Sequence, residues 1–150
     1  MKEIKNYING KFLAPVSGDY LDNIDPSRGK VYSKIPNSTK ADIDLAVDAA
    51  ENAFPAWSNM PKDERSAIMV KIADLIEARM DEFAHVESLD NGKPVSLANH
   101  VDIPRAVSNI KFFATAILHY AAESHYMEGV GINYTLRKPI GVVGCISPWN

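Results

Sequence analysis

An uncharged, largely β-branched run from residue 140 to 146 constrains the fold more than any other segment. Such a run is typical of a strand buried on both faces of a parallel sheet. It must end at Ser147, because Pro148 fixes its own φ and favours an extended residue before it. In open α/β sheets ligands bind at the loop after a strand, so the sequence predicts an α/β fold with a ligand-facing turn at residues 147–150. The alternative is that the proline, tryptophan and asparagine of this segment are ordinary turn residues.

Composition narrows the possible functions. The chain has 150 residues, 46% of them hydrophobic, which is enough to bury a core. A net charge of −3 without a cationic block argues against nucleic acid and anionic membranes as partners. Neither a signal peptide nor a membrane-spanning run is recognisable, so we predict a cytoplasmic protein. The single cysteine, Cys145, excludes a disulfide within the chain and a cysteine-based metal cluster, and we predict that it is buried in the strand.

The first third of the chain has the pattern of two strand pairs. Asn9-Gly10 lies between two short apolar runs, and a type I′ hairpin turn requires positive φ at both of its central residues. A second pair is predicted for residues 20–26 and 31–36, on either side of a turn containing Gly29.

From Thr39 the apolar period becomes helical. We predict a helix over residues 40–58 with a capping box of Thr39 and Asp42 and with Trp57 in the core. A second helix should begin at Pro61, and a third should end at Asn91-Gly92. The apolar stripe predicted for the second helix consists of Ile68, Ile72, Leu75, Ile76 and Met80.

The longest helical pattern covers residues 96–123, where Pro104 marks either a kink or the true start of the helix. An alternating strand follows at residues 132–137, for which the sequence offers no obvious partner strand. The four histidines show no metal-ligand spacing.

The segment Pro139–Asn150 resembles the P-x-G-V-x-G-x-I-x-P-W-N segment of the aldehyde dehydrogenase superfamily. The likeness extends over nearly the whole chain, including residues 7–10, 24–26 and 87–93. It implies the N-terminal part of that fold: β-hairpins, a helical layer, an oligomerisation-type strand and the first strand of a Rossmann-like parallel sheet. Residues 1–150 would then be an incomplete part of the NAD-binding domain, with the oligomerisation strand near 131–138 and without the catalytic domain.

The resemblance also implies an activity. Members of the family oxidise aldehydes to carboxylic acids with NAD, through a nucleophilic cysteine and a glutamate whose positions lie beyond residue 150. Residues 102–109 with Phe112 and Phe113 resemble the 2-aminomuconic and 2-hydroxymuconic semialdehyde dehydrogenases, and betaine aldehyde dehydrogenases are the second branch considered. In the semialdehyde branch the position of Arg105 helps to hold the substrate carboxylate, as a guanidinium can through two parallel hydrogen bonds. The alternative is a solvated helix arginine.

Further roles follow from the same resemblance. The turn formed by Ile146, Ser147, Pro148 and Trp149 would line the cofactor cleft, mainly through backbone groups. Asn150 would donate its side-chain amide to the oxyanion that develops on the aldehyde, or alternatively would cap the following helix.

Three positions match a monovalent-cation site of some relatives: Asn23, Ile24 and Asp90. Oxygen ligands suit a hard cation, but Asp90 is equally explained as a residue at a helix end. The expected partners are a small-molecule aldehyde and further copies of the chain in a homodimer or homotetramer. The alternative from another functional class is a noncatalytic chain that associates through its exposed strand and helical surfaces.

Overall fold

The structure, a computed structural model, describes residues 1–147. The strands are β1 (Lys2–Glu3), β2 (Asn6–Ile8), β3 (Lys11–Leu13), β4 (Tyr20–Asp25), β5 (Lys30–Pro36), β6 (Ser124–Met127) and β7 (Gly131–Tyr134). The helices are α1 (Lys40–Asn59), α2 (Lys62–Glu77), α3 (Met80–Asn91), the short α4 (Val95–Leu97) and α5 (Ile103–His119), and a π-helical turn, Ala98–Asp102, joins α4 to α5.

Both predicted hairpins near the start of the chain are confirmed. β2 and β3 pair antiparallel across Asn9 and Gly10, whose φ angles are 49° and 74°, and the rings of Tyr7 and Phe12 lie 5.1 Å apart across the pair. The second hairpin joins β4 to β5, and β1 adds to β5 in parallel, which gives the sheet order β1-β5-β4. The pairing of β4 and β5 shifts register between Asn23 and Ile24.

Helix α1 begins as predicted, and the carboxylate of Asp42 connects its first turn to the hairpins. The backbone N–H of Thr39 donates to Asp42 Oδ2 at 2.8 Å, as in a capping box. The N–H of Val16 donates to Oδ1 at 2.8 Å, and the side-chain amide of Asn6 donates to the same oxygen at 3.3 Å. Asp42 is buried, so its ionised form is stabilised by hydrogen bonds from three separate segments.

The core lies between α2 and α5 and includes only part of the apolar stripe predicted for the second helix: Ile76 and Met80, the latter in α3, pack against buried residues. Ser66 and Ala73 are the buried residues of α2, whereas Ile68 and Ile72 are each 41% exposed on its outer side. Small residues at the contact let the two helix backbones approach closely, and this outweighs the larger apolar area of the predicted stripe. The ammonium group of Lys111 on α5 closes one edge of the contact through ion pairs with Asp74 at 2.9 Å and Glu77 at 2.6 Å.

A second cluster joins α3 to the start of α5. Ala84, Ala98 and Ile103 are buried together and contact side chains of α2, α3 and α4. Helix α3 ends at Asn91 and is capped by Gly92, as predicted, and the φ of Gly92 is 82°. A Cβ atom at Gly92 would meet Pro26 Cγ at 3.1 Å, so the absence of a side chain there lets the turn of the second hairpin pack on the helix end.

The long helix predicted over residues 96–123 is two helices and a π-turn. Pro104 lies in the first turn of α5 and so marks its true start, and α5 ends at His119, where Tyr120 is extended. The helix is thus four residues shorter than predicted at its end, and residues 124–127 form β6, which pairs antiparallel with β7. The predicted strand therefore has a local partner, which the sequence analysis missed because the residues of β6 follow the helical pattern directly.

Two predictions of burial are wrong, and the strand predicted at residues 140–146 is not formed within residues 1–147. Such a strand depends on flanking strands, and the described strands all pair in three other sheets. Ile140 and Ile146 are accordingly 92% and 99% exposed, and Cys145 is exposed rather than buried. Trp57 is 39% exposed at the edge of a cleft rather than in the core.

We expect the contribution of Asp42 to stability to depend on pH. Hydrogen bonds from the N–H groups of Thr39 and Val16 lower the pKa of Asp42 below its ordinary value of 3.8. Its contribution is therefore fully present above about pH 4 and is lost as the pH falls through the folded-state pKa. Asp42→Asn should lower the thermal midpoint at pH 7 and weaken its dependence on pH below 4. The control is Asp48→Asn, which changes an exposed carboxylate of the same helix, and an equal effect of both variants would contradict the assignment.

Candidate functional site

Arg105 lies in the first turn of α5 with its side chain exposed. Its neighbours Ile103 and Val107 point to the opposite side and are buried, so packing of α5 directs Arg105 outward. Arg105 forms no ion pair with any residue of the described chain, whereas Lys93 and Lys111 each contact two carboxylates. Its five guanidinium donors are therefore available to an anion.

The position of Arg105 depends on the anchor at the base of its helix. Lys93 Nζ lies 2.8 Å from Asp102 Oδ2 and 3.3 Å from Glu87 Oε1, and its side chain is only 17% exposed. The hydrogen bond to Asp102 is the main cause of a raised pKa for Lys93. These contacts tie the π-turn, and with it the start of α5, to α3.

The exposed side of α5 continues beyond Arg105 with residues at helical spacing. Asn109 and Phe112 follow at four and seven residues, so all three lie on one side of the helix. Phe112 and Phe113 pack edge to face with ring centroids 5.1 Å apart, and both rings are exposed. Asn109 and Phe113 also line a cleft of about 430 Å³ between α1, α2 and α5. This side of α5 therefore presents a cation, an amide and aromatic surface in sequence.

Two of the three predicted cation-site residues are in direct contact. The side-chain amide of Asn23 donates to Asp90 Oδ1 at 3.1 Å and to the hydroxyl oxygen of Tyr32 at 2.8 Å. The Tyr32 hydroxyl in turn donates to Asp90 Oδ1 at 2.7 Å. Burial raises the pKa of Tyr32, and the hydrogen bond and charge of Asp90 raise it further. Tyr32 was not predicted, and its only signal in the sequence is its place in the strand that pairs with the strand of Asn23.

Ile24, the third of these residues, is half-exposed and lies at the register shift between β4 and β5, where Tyr32 of β5 is the extra residue. Because a bulge leaves backbone groups outside the ladder, the carbonyls here are suited to an oxygen ligand set completed by Asp90. Among residues 1–147, no group of three or more His, Cys, Asp or Glu side chains is arranged to hold a metal ion.

The predicted cofactor turn is described only in part. Ile146 and Ser147 are exposed and lie outside any helix or strand. Pro148, Trp149 and the predicted catalytic residue Asn150 lie outside the described residues. The structure thus brings Asn23 and Asp90 together and exposes Arg105, and it does not relate Arg105 to the turn.

The family to which this chain belongs is shown by comparison with known sequence families. The sequence profile of the aldehyde dehydrogenase family matches residues 12–150. The chain belongs to the aldehyde dehydrogenase family. The resemblance noted from the sequence is thereby confirmed.

Individual aldehyde dehydrogenases match over almost the whole chain. The 2-aminomuconic semialdehyde dehydrogenase of Homo sapiens is 49% identical over 148 residues, which is 98% of this chain and 30% of that protein. The 2-hydroxymuconic semialdehyde dehydrogenase of Pseudomonas sp. (strain CF600) is 45% identical over 155 aligned positions, which cover 100% of this chain and 32% of that protein. The chain therefore spans about 30% of the length of the curated relatives that it matches.

The fold agrees with this membership. The NAD⁺ complex of the aldehyde dehydrogenase from Bacillus cereus superposes with a TM-score of 0.84 and 34% identity, over 89% of this chain and 28% of that one. The predicted fold class, the N-terminal part of the aldehyde dehydrogenase fold, is confirmed. No helix within residues 1–147 is both long and apolar enough to cross a bilayer.

The contact between Tyr32 and Asp90 predicts a measurable change in the titration of Tyr32. Asp90→Asn removes a negative charge but not the burial of the phenol, so we expect the pKa of Tyr32 to fall part of the way towards the ordinary value of about 10. Since the raised pKa favours the neutral phenol, the stabilisation is present below the unfolded-state pKa and is lost as the pH rises through the folded-state value.

The Tyr32 resonance, followed by NMR between neutral and alkaline pH, provides the measurement. Asp22→Asn is the matched control, because Asp22 is an exposed aspartate on β4, the strand that pairs with the strand of Tyr32. An unchanged Tyr32 titration in Asp90→Asn would show that the contact does not persist in solution.

Proposed function

We propose that the full-length protein is an NAD-dependent aldehyde dehydrogenase whose substrate is a semialdehyde that carries a carboxylate. Family membership and the named activities of the semialdehyde dehydrogenases support the reaction class. The observation that carries the choice of substrate is Arg105, an exposed cation without an ion-pair partner among the described residues, on an aromatic side of α5.

The chemistry of Arg105 fits a carboxylate at the end of a planar carbon chain. A guanidinium binds a carboxylate through two parallel hydrogen bonds, which fixes the orientation of the substrate as well as its position. The exposed rings of Phe112 and Phe113 offer apolar surface next to this anchor. Betaine aldehyde, the substrate of the second branch considered, carries a cationic group that Arg105 would repel, so the charge at this position favours the semialdehyde.

For the cofactor we propose NAD, held at the turn of residues 146–149. The exposed backbone at Ile146 and Ser147 is compatible with contacts through main-chain groups, and the Bacillus cereus relative is an NAD⁺ complex. Bound NAD would accept the hydride of the aldehyde carbon. The nucleophilic cysteine and the glutamate of the family pattern match no residue of this sequence, so we assign neither role here.

Asn150 is proposed as the oxyanion donor. Attack of a thiolate converts the aldehyde carbonyl oxygen into an oxyanion, and a fixed amide NH₂ stabilises that charge as it develops. An asparagine amide donates without titrating, so its contribution does not depend on pH.

Two structural roles complete the proposal. Asn23, Ile24 and Asp90 supply oxygen ligands for a monovalent cation at the bulge between β4 and β5, as their donor types allow. The exposed hairpin of β6 and β7, with the segment to residue 138, serves as the oligomerisation element of a homodimer or homotetramer, because an exposed strand edge pairs readily with another chain.

The second candidate function is a noncatalytic chain that associates through apolar surface. The observation in its favour is the exposure of Ile140 and Ile146 in a run without charge. Aldehyde-dependent formation of NADH by the full-length protein separates the candidates, since the first predicts turnover and the second predicts none. From residues 1–150 alone we expect no turnover in either case.

Replacing Arg105 should affect carboxylated substrates selectively. Each charge-assisted hydrogen bond contributes about 1.5–3 kcal/mol, so Arg105→Ala should lower kcat/KM for a carboxylated semialdehyde by roughly ten- to a hundredfold or more. Turnover of a neutral aldehyde of the same length should change little. Lys30→Ala, which removes an exposed cation of β5, is the control, and an equal loss on both substrates in Arg105→Ala would refute the carboxylate contact.

Replacing Asn150 distinguishes catalysis from capping. Loss of an oxyanion donor should lower kcat by roughly 10²–10³ and leave the fold intact. Loss of a helix cap would instead cost about 1 kcal/mol of stability with kcat nearly unchanged. Turnover and thermal midpoint measured together on full-length Asn150→Ala give the answer, and a wild-type kcat would end the catalytic assignment.

A further inference from the structure

Four cationic side chains converge on one cleft at the far end of α5. We call it the basic cleft; it has a volume of about 690 Å³ and lies where the start of α2 and the end of α5 meet the segment after β7. Its cations are Lys62, Arg65, Arg137 and Lys138. They come from two separate parts of the chain, so the fold rather than a charged run in the sequence brings them together.

The basic cleft lacks the counter-charges that other cations of the chain have. None of the residues that line it within the described chain is acidic, and none of its four cations forms an ion pair there. This is unexpected for a chain with 19 acidic and 16 basic residues and a net charge of −3. Like charges that line one cleft repel each other, so an anion in the cleft would relieve repulsion as well as gain attraction.

Two of the cations are held in place and keep free donors. Arg137 lies over the ring of Tyr120 at 4.9 Å from its centroid, a cation–π contact that requires no hydrogen bond from the guanidinium. Lys62 Nζ donates to the carbonyl oxygen of Leu118 at 3.2 Å, which uses one of three donors. Side chains held in this way lose less conformational entropy when an anion binds.

The rest of the lining is apolar. Ile117, Leu136 and Pro139 border the cleft beside the Tyr120 ring. An inorganic ion would leave this surface unused, whereas a short planar carbon chain would cover it. We propose that the basic cleft binds a small organic dicarboxylate, with its carboxylates on the cations and its carbon chain on the apolar wall.

This inference rests on the proposed function for the source of the ligand. When an aldehyde that already carries a carboxylate gives its hydride to NAD⁺ and takes an oxygen from water, with release of protons, the product is a dicarboxylate. The basic cleft is a separate site from Arg105, because Ile117, the residue of α5 that lines the cleft, is twelve positions further along the helix, or about 18 Å at 1.5 Å per helical residue. We therefore infer a second binding site for the product class.

Calorimetric titration of the full-length protein with trans,trans-muconate tests this inference. Two binding events are expected, one at Arg105 and one at the basic cleft. Arg137→Gln and Lys138→Gln should each weaken the second event about tenfold or more and leave the first unchanged, since each removes a charge-assisted hydrogen bond. Arg105→Gln should do the reverse. Lys5→Gln, which removes an exposed cation elsewhere, should change neither event, and Arg137→Lys should recover part of the affinity.

Two further ligands define the chemistry of the cleft. Sorbate has the same conjugated six-carbon chain with a single carboxylate, so it should bind the cleft about tenfold more weakly than muconate. Phosphate binding as tight as muconate, or a cleft event insensitive to Arg137→Gln and Lys138→Gln, would overturn the inference. A single event lost only in Arg105→Gln would overturn it too, while supporting the proposed function. Absence of aldehyde oxidation by the wild-type protein would instead refute the proposed function.

Discussion

The close contact between α2 and α5 supports everything else in this structure. It depends on small residues, Ser66 and Ala73 on α2 and Ala114 on α5, which allow the helix backbones to approach where larger side chains would hold them apart. The three ion-paired groups at its edge add specificity rather than much stability, because they are partly exposed. Once α5 is oriented, Arg105 must face outward at one of its ends and the basic cleft must form at the other.

Local signals in the sequence were sufficient for the elements that depend on local chemistry. Asn9-Gly10, Thr39 with Asp42, and Gly92 each satisfy a backbone requirement that only a few residue types can meet, and each is where the sequence predicts a turn or a helix end. The choice of the buried face of α2 is different. Hydrophobicity favours Ile68 and Ile72, but the face is selected by the shape of α5, which no pattern within α2 contains.

The same division applies to the candidate site. The resemblance to the family predicts roles for Arg105, Asn23 and Asp90, and the structure shows which side chains surround them. The hydroxyl of Tyr32 and the Lys93–Asp102 pair depend on side chains that are distant in sequence, so no spacing rule identifies them. Strand formation at residues 140–146 likewise depends on partner strands, because the hydrogen bonds of a β-ladder form between two strands.

The π-helical turn before α5 sets the angular phase of that helix. One additional residue per turn, compared with an α-helix, rotates everything that follows by about 100° around the axis. Had residues 98–102 continued as regular α-helix, the side carrying Arg105, Asn109 and Phe112 would be turned through that angle relative to α3 and α4. Insertion or deletion of one residue in this turn would therefore change which side chains α5 presents on that side. No residue of the helix itself would have to change.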